Sequence, residues 1–279
     1  MKKILIPTDF SENASDALTY ALAFLAGKSA EIHVMHVFNL PQTVTSLNYL
    51  GTPTGNAALN RATENLSAIE ILFNEYSEKN SGKIKVSTIL VKGPYSSTIN
   101  KEAIRLNVDL IIMGTQGANH SFADKVFGTV STGVTANASC PVLLVPKGYI
   151  YKGITNIIFP TALNHEDSYE LDIALQLLQP HTVISHVLHI IENQENSNDE
   201  EQEKFASYIS EHSKAIQTIF YLELAKTIED VISEYADRHD AEMIIMHKTN
   251  QSFWDKLFKR SHTHKMASLI NVPLMVIDN

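Results

Sequence analysis

The sequence predicts an α/β protein built as two tandem, doubly wound parallel-sheet domains. Three observations carry that prediction: short apolar runs alternate with amphipathic helical stretches, the order repeats once along the 279 residues, and a strand–glycine–loop–helix passage closes the first round. Strands alternating with helices imply a parallel sheet covered on both faces. A pattern that recurs along the chain implies duplication.

Lys3-Ile4-Leu5-Ile6 is a compact apolar run that halts at Pro7-Thr8-Asp9, the mark of a buried strand with a polar exit. Ser11 is placed to cap the next helix, where Leu18, Ala21, Leu22 and Leu25 recur at helical spacing until Gly27 ends it. EIHVMHVF supplies a second strand, Ile32 to Phe38. The polar, Gly- and Pro-containing stretch 39–56 is long for a loop in a compact domain, which suits a flap or an interface. Leu59, Ala62, Leu66, Ile69, Phe73 and Tyr76 share one face of a following helix. Ile84 to Val91 form a third strand broken at Gly93-Pro94, and Ile99, Ala103 and Leu106 mark another helix.

The passage from Asp109 to Pro146 holds the densest signal. Leu110 to Met113 stop at Gly114, Gly117 follows, and after a polar loop Gly128-Thr129-Val130-Ser131 opens a helix before the strand Val142 to Val145. Such a run suits a phosphate, because glycines admit close approach and free N–H groups at a helix start attract an anion. The hydroxyls of Thr129 and Ser131 add donors there. The plain alternative is a tight turn at Gly114 and an ordinary cap at Thr129. Asp9, Val37 and Gly114 all fall at strand ends, and ligands of such sheets sit beyond the strand ends where the winding reverses.

Composition narrows the function. Hydrophobic residues at 44% and charged ones at 19% describe a globular chain with a substantial core. A net charge of −9 with no long basic run argues against a nucleic-acid surface. No apolar run approaches the ~18 residues of a membrane span, and the start reads as a strand broken by Pro7 instead of a signal peptide. The single cysteine, Cys140, excludes an intrachain disulfide and reads as a small buried side chain. A cytoplasmic location is expected. The motifs of P-loop, dinucleotide-binding and nucleophile-elbow enzymes are absent.

Residues 1–147 resemble the universal stress protein family, through KKILIPTDFS, HVMHVF, DLIIMGTQG, GTVS and CPVLLVP. The family's loop runs Gly, two residues, Gly, nine residues, then Gly with Ser or Thr. Here ten residues separate Gly117 from Gly128. The resemblance implies a Rossmann-like fold and an ATP site. It implies that Pro7, Thr8, Asp9 and Val37 hold the adenosine side, that Met113 and Gly114 pack near the sugar, and that Gly117, Gly128, Thr129, Val130 and Ser131 cradle the phosphates. Mg²⁺ would arrive on the nucleotide. No general base is evident, so no catalytic residue is assigned and any ATP hydrolysis should be slow.

The second half repeats the first. Ile157 to Thr161 answer Ile4 to Thr8, while Leu171, Ala174, Leu175 and Leu178 rebuild the first helix, and Val183 to Ile191 read as a strand. Ile228, Val231, Ile232 and Tyr235 share a helix face, and Met243 to Met246 and Pro273 to Ile277 read as the last two strands. The domains are thus expected at 1–147 and 153–279. In the copy Ala162 stands for Asp9, His247 for Gly114, Asn250 for Gly117 and Arg260 for Gly128, so it reads as degenerate and structural. His186, His189, His247, His262 and His264 lack the spacing of a recognised metal motif and read as hydrogen-bonded or surface groups. Two readings stay open. One is an ATP-binding stress-response regulator with a nucleotide in the first domain only; the other is an interaction protein of the same fold. The family resemblance further implies that the two domains pack as an intrachain pseudo-dimer, with a homodimer possible.

Overall fold

The computed structural model describes residues 1–39, 53–80, 83–116, 127–161, 163, 165–191, 199–212, 217–224, 228–248 and 271–278. They divide into two compact units, the first ending at Gly148 and the second beginning at Tyr149.

In the first unit the chain alternates β1 (Lys2–Pro7), α1 (Glu12–Phe24), β2 (Ser29–Phe38), α2 (Pro53–Lys79), β3 (Lys83–Lys92), α3 (Tyr95–Leu106), β4 (Leu110–Gly114), α4 (Thr129–Asn137) and β5 (Val142–Val145). All neighbours are parallel and the order is β3-β2-β1-β4-β5. The winding therefore reverses between β1 and β4. Ile4, Leu5, Ile6, Ile32, Val34, Ile111 and Ile112 are shut off from solvent, as strands covered on both faces require. Burying one such side chain contributes about 1.5–3 kcal/mol.

α1 begins where its sequence says it should: Ser11 accepts the N–H of Ala14 at 3.2 Å. Ala14, Ala17 and Ala21 are buried on it beside the larger Leu18, Tyr20 and Phe24. Small residues let the helix lie close to the sheet. Gly27, just beyond, takes a positive φ of 73°. α3 closes on Asn107 in the left-handed region, φ 51°, whose N–H returns to the carbonyl of Ile104.

The second unit runs β6 (Asn156–Thr161), α5 (His165–Leu178), β7 (Ile184–Ile191), α6 (Asp199–His212), β8 (Gln217–Leu224), α7 (Ile228–Arg238), β9 (Met243–His247) and β10 (Leu274–Ile277). Its parallel order, β8-β7-β6-β9-β10, is that of the first unit. The likeness reaches single bonds. Asp109 accepts the N–H of Lys3 at 2.7 Å, and Glu242 accepts that of Asn156 at 2.7 Å. The turn residues Asn107 and Asp240 share the left-handed region. β8 is a strand to which the sequence reading assigns no residues, and α6 starts at Asp199, within an acidic run. Acidic residues favour the first turn of a helix, which is how an acidic run came to be helical.

Candidate functional site

The exits of β1, β2 and β4 and the first turns of α3 and α4 enclose a cleft of about 470 Å³. It lies at the reversal of winding, where strand exits diverge and leave room. Pro7, Thr8 and Asp9 reach it from β1, Val37 from β2, and Met113 and Gly114 from β4. Gly128, Thr129, Val130 and Ser131 form its far end. Gly117 lies outside the described residues.

Around β1 the walls are tightly specified. Buried Thr8 donates its N–H to Met35 at 2.8 Å, and its hydroxyl accepts the N–H of Phe10 at 3.0 Å. Its carbonyl accepts a hydrogen bond from Nδ1 of His36 at 2.8 Å. Asp9 Oδ1 accepts the N–H of Ser11 at 3.0 Å, which turns the chain into α1. Phe10 sits at φ 61°, unusual for a bulky residue, and stacks on His36 with centroids 4.5 Å apart.

At the other end α4 starts without a side-chain cap, since its N-cap is Gly128. The N–H of Gly128 donates to the carbonyl of Thr115 at 2.7 Å. The N–H groups of the next three residues have no partner within the helix, which leaves a positive end at the cleft. Ser131 contributes differently from what its hydroxyl suggested. That hydroxyl is buried and donates towards the carbonyls of Thr115, 2.7 Å, and Gly128, 3.0 Å. It fastens the helix start to the β4 exit, so Ser131 has its backbone N–H to offer the cleft. Thr129 is exposed.

Gly114 has a reason of its own to be glycine. A Cβ there would stand 2.9 Å from the backbone oxygen of Asn13 and 2.9 Å from its side-chain Oδ1. Buried Asn13 in turn donates from Nδ2 to the carbonyl of Gln116 at 3.0 Å and lies 3.3 Å from the Thr115 hydroxyl. The glycine thus lets α1 approach β4. Sequence reasoning missed Asn13, although one signal was present: it is a polar residue in register with Ala17, Tyr20 and Phe24 on the buried face. It also missed His36, Tyr95, Ile99 and Gln116, which line the cleft from segments read only as strand, helix or loop.

The model of the Universal stress protein family matches residues 1–146. The chain belongs to the universal stress protein family. A universal stress protein of Methanocaldococcus jannaschii is 32% identical over 158 residues, covering 52% of this chain and 95% of the relative. One of Thermus aquaticus is 31% identical over 145 residues, covering 52% and 98%. Among solved structures, a universal stress protein of Archaeoglobus fulgidus shares the fold over 99% of this chain and 96% of its own, with a TM-score of 0.71 and 19% identity.

In this universal stress protein the second unit keeps the frame of the cleft and changes its lining. The carbonyl of Thr161, the counterpart of Thr8, accepts from His189 Nδ1 at 3.0 Å, and its hydroxyl accepts the N–H of Leu163 at 2.8 Å. Leu163 stands at φ 61°, as Phe10 does. The small residues Ala14, Ala17 and Gly114, however, are answered by Asp167, Glu170 and His247. His247 Nδ1 donates to Asp167 Oδ1 at 3.0 Å, its Nε2 lies 3.8 Å from Glu170 Oε1, and the Thr161 hydroxyl donates to Asp167 Oδ2 at 2.6 Å. The three are 5%, 2% and 6% exposed. Two of the three replaced positions, 14 and 114, line the first unit's cleft. In the second unit their replacements are buried and meet one another.

The hydrogen bond to Asp167 is the main cause of a raised pKa at His247. Burial opposes it, and Glu170, Asp167 and Asp278 reinforce it. A raised folded-state pKa means the contribution to stability is complete below the ordinary imidazole value of about 6.5 and is lost as pH climbs through the raised one. The second unit should therefore melt at a lower temperature at pH 9 than at pH 6, and His247→Gln should flatten the difference. A parent chain whose melting ignores pH over that range would refute the linkage.

Ala162, Asn250, Arg260, His262 and His264 lie outside the described residues. His186 bonds Asn156 Oδ1 at 3.1 Å. Among the described residues no group of three or more His, Cys, Asp or Glu is arranged to hold a metal. Burial, helped by Asp109, pushes the Cys140 thiol up to about 12, which removes the thiolate needed for reactivity. No described helix is long and apolar enough to cross a membrane.

Proposed function

We propose that the protein binds one ATP per chain in the cleft of its first unit and acts as a nucleotide-responsive stress regulator with little or no catalysis. The observation that carries this reading is the convergence of Pro7, Thr8, Asp9 and Val37 with Met113, Gly114 and the uncapped start of α4 on one cleft. β2 and β4 lie two strand spacings apart, about 10 Å, a span fit for a nucleoside with its phosphates. The adenosine lies towards β1 and β2, with Asp9 as an acceptor for base or ribose. The phosphates lie on the N–H groups of Thr129 to Ser131 with Gly128 nearby, and Mg²⁺ comes with them.

Slow chemistry is expected because the described titratable side chains that line the cleft, Asp9, His36 and Tyr95, come from the β1 and β2 exits and from α3, and none comes from α4. A single site is expected because the second unit puts the buried, mutually bonded Asp167 and His247 where the first has Ala14 and Gly114. Titration calorimetry of the intact chain with Mg·ATP tests both points. One nucleotide per chain is the expected result. Two would place a site in the second unit, and none would replace this reading with that of an interaction module.

A further inference from the structure

We infer that His36 is the residue that selects the base, its Nε2 accepting a hydrogen bond from an exocyclic amine such as that of adenine. This rests on the nucleotide reading of the same cleft. His36 is half-buried on β2 and lines the cleft. Its Nδ1 is bound to the carbonyl of Thr8 at 2.8 Å, and a carbonyl oxygen can only accept. Nδ1 therefore carries the proton, and in the neutral ring Nε2 presents a lone pair. Among the described residues no protein group bonds that nitrogen.

The ring is also held still. Phe10 stacks on it at 4.5 Å and 27°, and Phe10 is itself fixed by the bond from its N–H to the Thr8 hydroxyl. Thr8 thus anchors both the ring and the aromatic residue against it. A group oriented in advance loses less freedom when a ligand binds, which is what a reading group needs.

The second unit separates the structural part of this arrangement from the rest. His189 makes the same bond to Thr161, so the tie between strands is common to both units. At the place of Phe10, however, stands Leu163, so the histidine there lacks the aromatic partner. The Thr161 hydroxyl, besides accepting from Leu163, donates to Asp167. The stacked, pre-set ring belongs to the first unit, where it lines the cleft.

A lone pair at that position welcomes the 6-amino group of adenine and repels the 6-keto oxygen of hypoxanthine, so ATP and ITP form the discriminating pair. The intact chain should bind ATP at least about tenfold more tightly than ITP, the ratio expected of one hydrogen bond made or left unmade. His36→Asn places an amide N–H where Nδ1 stands, keeping the tie to Thr8 while removing the Nε2 acceptor. That variant should melt near the parent temperature and bind the two nucleotides equally. His36→Gln, which can reach the Nε2 position with an amide oxygen, should restore part of the preference. A parent chain that does not discriminate, or a His36→Asn variant that keeps the ratio, would overturn the inference and leave ATP binding intact. If neither nucleotide binds, the inference falls together with the nucleotide reading.

Discussion

Asp167→Ala should destabilise the second unit by about 3–5 kcal/mol, the usual penalty for stranding one member of a buried ion pair. His247 would lose the 3.0 Å bond that orients its ring and is the main cause of its raised pKa, with Glu170 left at 3.8 Å. The Thr161 hydroxyl would lose its acceptor at 2.6 Å as well. Denaturant unfolding with hydrogen exchange read on β9 and α5 measures the effect where it should arise. Replacing all three residues by those of the first unit, Asp167→Ala with Glu170→Ala and His247→Gly, should be milder than the sum of the single changes. The triple variant buries no charge, and residues in contact are coupled by about 0.5–3 kcal/mol. Strict additivity, or a loss below about 1 kcal/mol for Asp167→Ala alone, would mean that water reaches the cluster and compensates it.

That cluster also marks where sequence reasoning stops. His247 is visible as a replacement for Gly114, because glycine positions in a repeat are easy to compare. Asp167 and Glu170 are not, because an acid three residues from another acid on a helix reads as a solvated face. Only packing reveals that positions 167 and 170 face inwards, as Ala14 and Ala17 do. The duplication and nearly every strand were legible, since parallel strands buried on both faces must be continuous apolar runs. β8 is the strand whose residues the sequence does not single out. It carries Gln217, Thr218 and Glu223 among its apolar residues, and an edge strand needs no unbroken run.

In the first unit the strand exits and glycines foretold the cleft because both are backbone features written directly in residue types. The side chains that complete it were hidden for different reasons. His36 alternates with core residues on β2, where a histidine looks like one more half-buried position. The hydroxyl of Ser131 was assigned to a ligand when its first obligation is a buried backbone carbonyl. A polar group inside a protein bonds whatever is nearest, and spacing along the chain does not say what that will be.

Gly114→Val should cost the first unit its nucleotide, lowering affinity at least about 100-fold, with about 1–3 kcal/mol of stability lost as in other overpacked cores. The cause is contact: φ at Gly114 is not in the left-handed region, so backbone strain does not arise. A Cβ would lie 2.9 Å from the backbone oxygen of Asn13, and that oxygen belongs to the first turn of α1. The turn cannot yield alone. Ser11 caps it, Asn13 is tied to Gln116, and Asp9 holds the N–H of Ser11. Relief therefore requires α1 to move off β4, carrying Asp9 with it, while the valine methyls enter the cleft that Gly114 lines. Gly114→Ala introduces the same 2.9 Å contact without those methyls, so it should lose stability comparably but affinity less. Adding Asn13→Ala to Gly114→Ala removes the side-chain obstacle and leaves the backbone one, so rescue should be partial. Full rescue would show that the amide of Asn13 was the whole obstruction. Unchanged melting and unchanged ATP binding in Gly114→Val would mean that α1 does not need this close approach and that the cleft floor lies elsewhere.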